Sequence, residues 1–204
     1  MTEKKRRNPK QARAQATVDA ILEATFHILE TDGLAQLTTN GIAERAGVSI
    51  GTLYQYFSDR DEILAMMGKR QAEGIQSRIT DVLEKSPDPE SIRTIVRAIM
   101  NGMQGSAETR IVLSDALFRV HGEGAVSDQY GAFFDFMSAR PEFGFALKRE
   151  SVFIITHSVV CLLRAAAAEP AMCLKPEALE DELVLLMESY IGALALRAQK
   201  QAAN

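Results

Sequence analysis

The stretch from Thr38 to Phe57, TTNGIAERAGVSIGTLYQYF, constrains the fold of this chain more than any other. Thr38 and Thr39 place hydroxyls where a helix can start, and Ile42, Ala43 and Ala46 give that helix one apolar side. Gly47 follows where a chain leaving a helix turns left-handed, a conformation that glycine adopts without steric cost. Two residues on, Ser49 can accept bonds from the free amides of a second helix beginning at Ile50. This spacing predicts a helix-turn-helix. The second helix, Ile50 to about Tyr56, is shorter than the roughly 12 to 15 residues that an isolated helix needs in water. Packing must hold it, and Leu53 and Phe57, one turn apart, are the inward anchors. Its outer side then carries Ile50, Gly51, Thr52, Tyr54, Gln55 and Tyr56. Small residues followed by hydroxyls and an amide suit the entry of a helix N-terminus into a major groove, where it meets phosphates and base edges.

The segment AERAGVSIGTLYQYFSDRDEIL, with the TT pair before it, resembles the DNA-binding domain of TetR-type (TetR/AcrR) transcriptional regulators. The resemblance covers roughly Val18 to Leu64, and the turn, the anchors and the following helix cap all agree with it. It implies an all-α protein with an N-terminal helix-turn-helix domain, residues 1–66, and a larger helical sensor and dimerisation domain, residues 67–204. By the same resemblance, Thr39 and Tyr54 are phosphate contacts, Thr52 and Tyr56 phosphate or base-edge contacts, and Arg60 a backbone clamp. Asn40, Ile50, Gly51 and Gln55 occupy positions that vary with the operator, and the capping Ser49 is counted with them. Gln55 can bond adenine bidentately, and Ile50 or Gly51 can approach a thymine methyl. For Tyr54 and Tyr56, ordinary core packing is the competing reading.

The net charge is −4, yet Lys4, Lys5, Arg6, Arg7, Lys10 and Arg13 gather at the N-terminus with only Glu3 opposing them. Beside a helix-turn-helix such an arm attracts phosphate locally, and it reads equally well as a solvated tail. With 47% hydrophobic residues, no Trp and little alternation of β-branched residues, the composition favours helices throughout. Cys161 and Cys173 have no partner at metal spacing and are expected as reduced, buried thiols. A polar, basic Met1 to Lys10 is not a secretion signal, and a cytoplasmic location follows as an expectation.

Helical periodicity predicts a first helix over about Gln11 to Thr31, with His27 beside its apolar stripe as a packing or surface residue. Ser58 and Asp61 stand at capping-box spacing before a connector helix that runs to about Lys85, with Gly68 and Gly74 as a bend, a close contact or plain tolerance. Asp88 and Pro89 open the next helix, Ser106 caps the one after, and a further helix carries Tyr130, Phe133, Phe134, Phe136 and Met137 up to Pro141. Ser151 to Ala168 is apolar nearly all round, but Thr156, His157, Ser158 and Arg164 interrupt it and no basic flank favours a membrane span. Such a helix needs cover from its own core and from a second copy of the chain. With a last helix over about Glu177 to Gln199, it fits the homodimer interface that the resemblance implies.

Met100, Met103, Phe118, His121, Phe133, Phe134, Met137 and Phe153, with His157, form the expected effector pocket. The same Met and Phe residues also serve as plain core. No phosphate loop, HExxH, GxSxG or carboxylate cluster with a metal partner is present, so neither enzyme chemistry nor a cofactor or metal is expected. The expected protein is a dimeric regulator, most simply a repressor released from a palindromic DNA operator by a small, largely apolar effector. The rival readings are a helical enzyme and a protein-binding adaptor, each with an incidental helix-turn-helix.

Overall fold

A computed structural model describes residues 9–85, 91–120, 135 and 147–203. Among these residues the chain is all-helical: α1 (Pro9–Asp32), α2 (Thr39–Arg45), α3 (Ile50–Tyr54), α4 (Arg60–Lys85), α5 (Ser91–Gly102), α6 (Ala107–Val120), α7 (Arg149–Ala168) and α8 (Pro176–Ala202). Short 3-10 turns at Leu34–Gln36 and Pro170–Met172 link α1 to α2 and α7 to α8. The expected helix opening at Asp88 and Pro89, the aromatic helix ending before Pro141, and the arm before Pro9 lie outside the described residues.

Two apolar clusters divide the chain. The first gathers Ile21, Leu22, Ile28 and Leu29 of α1 with Ile42, Leu53, Phe57, Ile63 and Leu64, and it takes in Val112, Leu113 and Ala116 of α6. The second joins Ile79 and Leu83 of α4 to Ile95, Val96 and Ile99 of α5, Val152 and Val159 of α7, and Leu183, Val184 and Met187 of α8. Because α4 feeds both clusters, it runs unbroken through the expected boundary at residue 66 and makes head and body mechanically continuous.

The caps differ from expectation at α4. Asp59, not Ser58, accepts the Glu62 amide, at 2.8 Å, while the Glu62 carboxylate accepts both the Ser58 amide (2.6 Å) and the Ser58 hydroxyl (2.8 Å). The helix therefore starts one residue later, because a carboxylate at position 59 is available as acceptor and the serine hydroxyl is used as a donor. Ser106 caps α6 as expected, its hydroxyl accepting the Thr109 amide at 3.2 Å.

A second partner secures that cap from across the molecule. Glu30, near the end of α1, accepts the Ser106 amide at 2.9 and 3.1 Å, which places a negative charge at the N-terminus of α6. Gly105 makes the approach possible: its φ is +92°, and a Cβ there would stand 2.9 Å from a Glu30 carboxylate oxygen and 2.9 Å from Thr109 Cγ2. Bonds from the Thr109 hydroxyl and then the Ser106 amide hold the Glu30 carboxyl below its usual range. A depressed carboxylate adds stability above its unfolded pKa and loses that contribution as pH falls through the folded one. Thermal stability should accordingly decline as pH drops below about 4 to 5, and Glu30→Gln should make the decline shallower. Superimposable pH profiles for the two proteins would show that the bond between head and body does not act this way.

α7 is long and apolar enough to cross a membrane by length and composition. Its Ser151, Val152 and Val159 are nevertheless buried in the second cluster or beside it, and Arg164 bonds Asp115 of α6 at 2.9 and 2.5 Å. The other side of α7 holds Phe153, Ile154 and Leu162, all exposed. Cys161 lies with them, so the expectation of buried thiols is corrected: both cysteines are free and exposed in the single chain. The apolar pattern around α7 covers more than its own core can use, and Cys161 falls on the surplus side. Cys173 closes the 3-10 turn in a left-handed conformation, φ 50°.

Candidate DNA-binding face and effector cleft

α2 begins at Thr38, whose side chain accepts the Gly41 amide at 3.1 Å. It ends in a Schellman arrangement: the Val48 amide bonds the Ala43 carbonyl (3.0 Å), the Gly47 amide bonds the Glu44 carbonyl (3.1 Å), and Gly47 takes φ +68°. Ser49 then caps α3 by accepting the Thr52 amide at 3.0 Å, and its hydroxyl lies 2.7 Å from that of Thr52. α3 is shorter than expected. It stops at Tyr54, and the Tyr56 and Phe57 amides both fold back onto the Leu53 carbonyl at 3.0 Å.

Leu53 is 0% exposed and Phe57 3%, as their anchoring role requires, while Tyr54 is 54% and Ile50 37% exposed. Asn40, Ser49, Gly51 and Gln55 are also exposed. Tyr56 sits apart from this group, half-buried and packed against the head core. The Tyr54 hydroxyl meets the Thr39 hydroxyl at 3.2 Å, which joins the start of α2 to the end of α3. Arg60 is half-buried, donating to the Leu37 carbonyl at 3.3 Å and lying 3.5 Å from Asp61. His27 is a surface residue, with both ring nitrogens within 2.8 and 2.9 Å of the Arg45 guanidinium. The outward face is thus a rigid array of small residues, hydroxyls and one amide, braced from behind by aliphatic packing.

The expected pocket residues do not all converge. Met100 and Met103 line a cleft of about 250 Å³ beneath the turn between α7 and α8. Phe153 and His157 instead stack on each other along α7, ring centroids 4.0 Å apart. Partial burial lowers the His157 pKa, and its ring Nδ1 lies 3.0 Å from the Phe153 carbonyl oxygen. Phe118 lies on α6, and His121, Phe133, Phe134 and Met137 fall outside the described residues. Residues that the sequence reading did not select complete the cleft, chiefly Arg110, Leu163, Leu174 and Leu179. Arg110, directly before the apolar Ile111, Val112 and Leu113 of α6, was the signal that could have found it. Among the described residues no three His, Cys, Asp or Glu side chains gather where a metal could be held.

Head and body together define a helix-turn-helix protein whose second part is a helical bundle. Residues 21–67 match the profile described as bacterial regulatory proteins, tetR family. The chain is 36% identical over 74 residues to the HTH-type transcriptional regulator PksA of Bacillus subtilis (strain 168), a match covering 36% of each chain. It is 31% identical over 121 residues to the HTH-type transcriptional repressor KstR of Rhodococcus jostii (strain RHA1), covering 59% of this chain and 57% of KstR. The chain thus spans about half the length of such curated relatives or less. Among solved structures, the fatty acid degradation regulator FadR from Bacillus halodurans superimposes with a TM-score of 0.64 at 16% identity, over 90% of this chain and 96% of that one. A TetR-family transcriptional regulator from Streptomyces coelicolor gives 0.62 at 20% identity, over 87% and 98%. Identities this low show the fold alone. Residues 21–67 thus resemble the tetR-type regulatory domain, the chain shares its fold with these solved structures, and both curated relatives are named transcriptional regulators or repressors.

Proposed function

We propose that the protein is a homodimeric, sequence-specific DNA-binding regulator of transcription, acting as a repressor that leaves a palindromic operator when a small molecule occupies the body. The observation that carries this reading is the exposed face of α3, with Leu53 and Phe57 turned away from it. Residues 1–66 serve as the DNA-binding part and 67–204 as the sensing and dimerising part, with α4 shared between them. Tyr54, Thr39 and Thr52 supply hydroxyls for phosphate, and Gln55, Gly51 and Ile50 lie where base edges would be met. The exposed apolar residues Phe153, Ile154 and Leu162 of α7, and Leu185, Leu186 and Leu196 of α8, supply a surface for a second copy. KstR is named a repressor, which favours repression over activation. A soluble DNA-binding role places the protein in the cytoplasm with its operator.

Tyr54→Phe removes one hydroxyl from an exposed position and should leave thermal stability within about 0.5 kcal/mol of the parent. Loss of a charge-assisted bond to phosphate should weaken operator binding by about ten- to hundredfold. Fluorescence anisotropy on an operator duplex measures the second effect and thermal denaturation the first. Undiminished DNA affinity in Tyr54→Phe and in Thr52→Ala would overturn the assignment of this face.

A further inference from the structure

We infer that the operator is read as A·T pairs where α3 enters it, with the Gln55 amide meeting an adenine and the Ile50 side chain packing on a thymine methyl. The inference rests on the DNA-binding reading above and narrows it to one class of sequence.

The four bases ask for different chemistry in the major groove. Guanine is met best by arginine or lysine, cytosine by a carboxylate, adenine by the carboxamide of Gln or Asn, and thymine by an apolar group on its methyl. From Ala46 to Ser58 the chain carries no Lys, Arg, Asp or Glu. The arginines that flank this run are engaged elsewhere. The Arg45 guanidinium lies 2.8 and 2.9 Å from the ring nitrogens of His27, and Arg60 donates to the Leu37 carbonyl at 3.3 Å. The first carboxylate after the run, Asp59, caps α4. The α3 face therefore offers the preferred partners of adenine and thymine without those of guanine and cytosine.

Ile50 and Tyr54 form one row on the outer side of α3, and Gly51 and Gln55 form the next, each pair one turn apart. As the C-cap, Gln55 keeps helical dihedrals, φ −73° and ψ −21°, so its Cα–Cβ bond tilts back toward the turn that holds Gly51. The protein itself has no need of a glycine there. Gly51 lies within the helix, and a Cβ on it would meet nothing nearer than Ser49 Oγ at 3.8 Å. A helical glycine costs stability relative to alanine, and what the missing side chain provides is room outside the molecule. A base edge can there approach the helix backbone within reach of the Gln55 amide. Ile50, 37% exposed, lies outside the head core. A thymine methyl covering it removes that apolar surface from water.

The full-length protein is first used to select duplexes from a random-sequence pool, and the fixed pairs of each half-site should be mostly A·T. In one half-site of the selected duplex, 7-deazaadenine then replaces each adenine in turn, removing the N7 acceptor, and uracil replaces each thymine, removing the methyl. One of the 7-deazaadenine duplexes should bind about five- to hundredfold more weakly, and Gln55→Ala should no longer distinguish it from the parent duplex. One of the uracil duplexes should bind about fourfold more weakly, a difference that Ile50→Ala abolishes. Gln55→Arg, selected afresh, should exchange one A·T pair for G·C in each half-site. A two-fold motif whose fixed pairs are mostly G·C would overturn this inference and leave the DNA-binding reading standing, whereas a pool that stays random would overturn both. Affinity indifferent to every 7-deazaadenine, or a loss that persists in Gln55→Ala, would remove Gln55 from the role. The substituted duplexes decide with the parent protein alone, so the result does not depend on how the variants fold.

Discussion

Replacing Leu53 with alanine should lower the unfolding free energy by about 2 to 5 kcal/mol and abolish operator binding at concentrations where the parent protein is saturated. Leu53 is the one residue of α3 that is fully inside, at 0% exposure, and its carbonyl also receives the Tyr56 and Phe57 amides. A five-residue helix contributes almost no stability of its own, so its placement depends on that side chain. Truncation leaves a cavity among Leu53's neighbours in the head core and frees α3 to shift. Urea denaturation followed by circular dichroism measures the loss. A change smaller than about 1 kcal/mol would mean that α3 is held by something other than its packing. Ile50→Ala, at a position 37% exposed, is the matched control and should cost little.

The second large effect lies at the other end of the molecule. Leu185→Glu should convert a dimer into a monomer in analytical ultracentrifugation, with the helical content of each chain unchanged. Leu185 is 57% exposed in the single chain and Leu196 61%, and the exposed Ser189 and Gly192 lie between them at helical spacing. Large residues alternating with small ones allow two such helices to approach closely. A carboxylate sealed there without a partner costs about 3 to 5 kcal/mol, and two-fold symmetry places one in each copy. Because two half-sites are held together only by the dimer, operator affinity should fall along with it. An unchanged dimer would move the interface elsewhere, and a monomeric parent protein would remove it.

The head was legible in the sequence because its signals are local. Thr38, Gly47 and Ser49 act within four residues of their own backbone partners, and Leu53 and Phe57 declare their direction through a single helical turn. Asp59 defeated the same reasoning at α4, since two adjacent residues were rival caps for helix starts one residue apart and the choice turned on how Glu62 folded back. The body was less legible. Periodicity located α7 and α8 within a few residues, but an apolar helix surface reads alike whether its own core or a second chain covers it, which is why Cys161 was expected inside. The cleft depends on which helix ends meet in three dimensions, so Met100 and Met103 were selected for their type while Arg110 was passed over. The bond from Glu30 to Ser106 spans 76 positions and left no trace in the pattern.

The claim on which the rest depends is that two copies of the α3 face read one duplex together. Selection of bound fragments from a random-sequence DNA pool tests it most directly. The account predicts enrichment of an inverted repeat whose half-site centres lie about 34 Å, or one helical turn, apart, lost when Thr52 and Tyr54 are both replaced by alanine. A pool that stays random, or one that converges on a motif without two-fold symmetry, would contradict it.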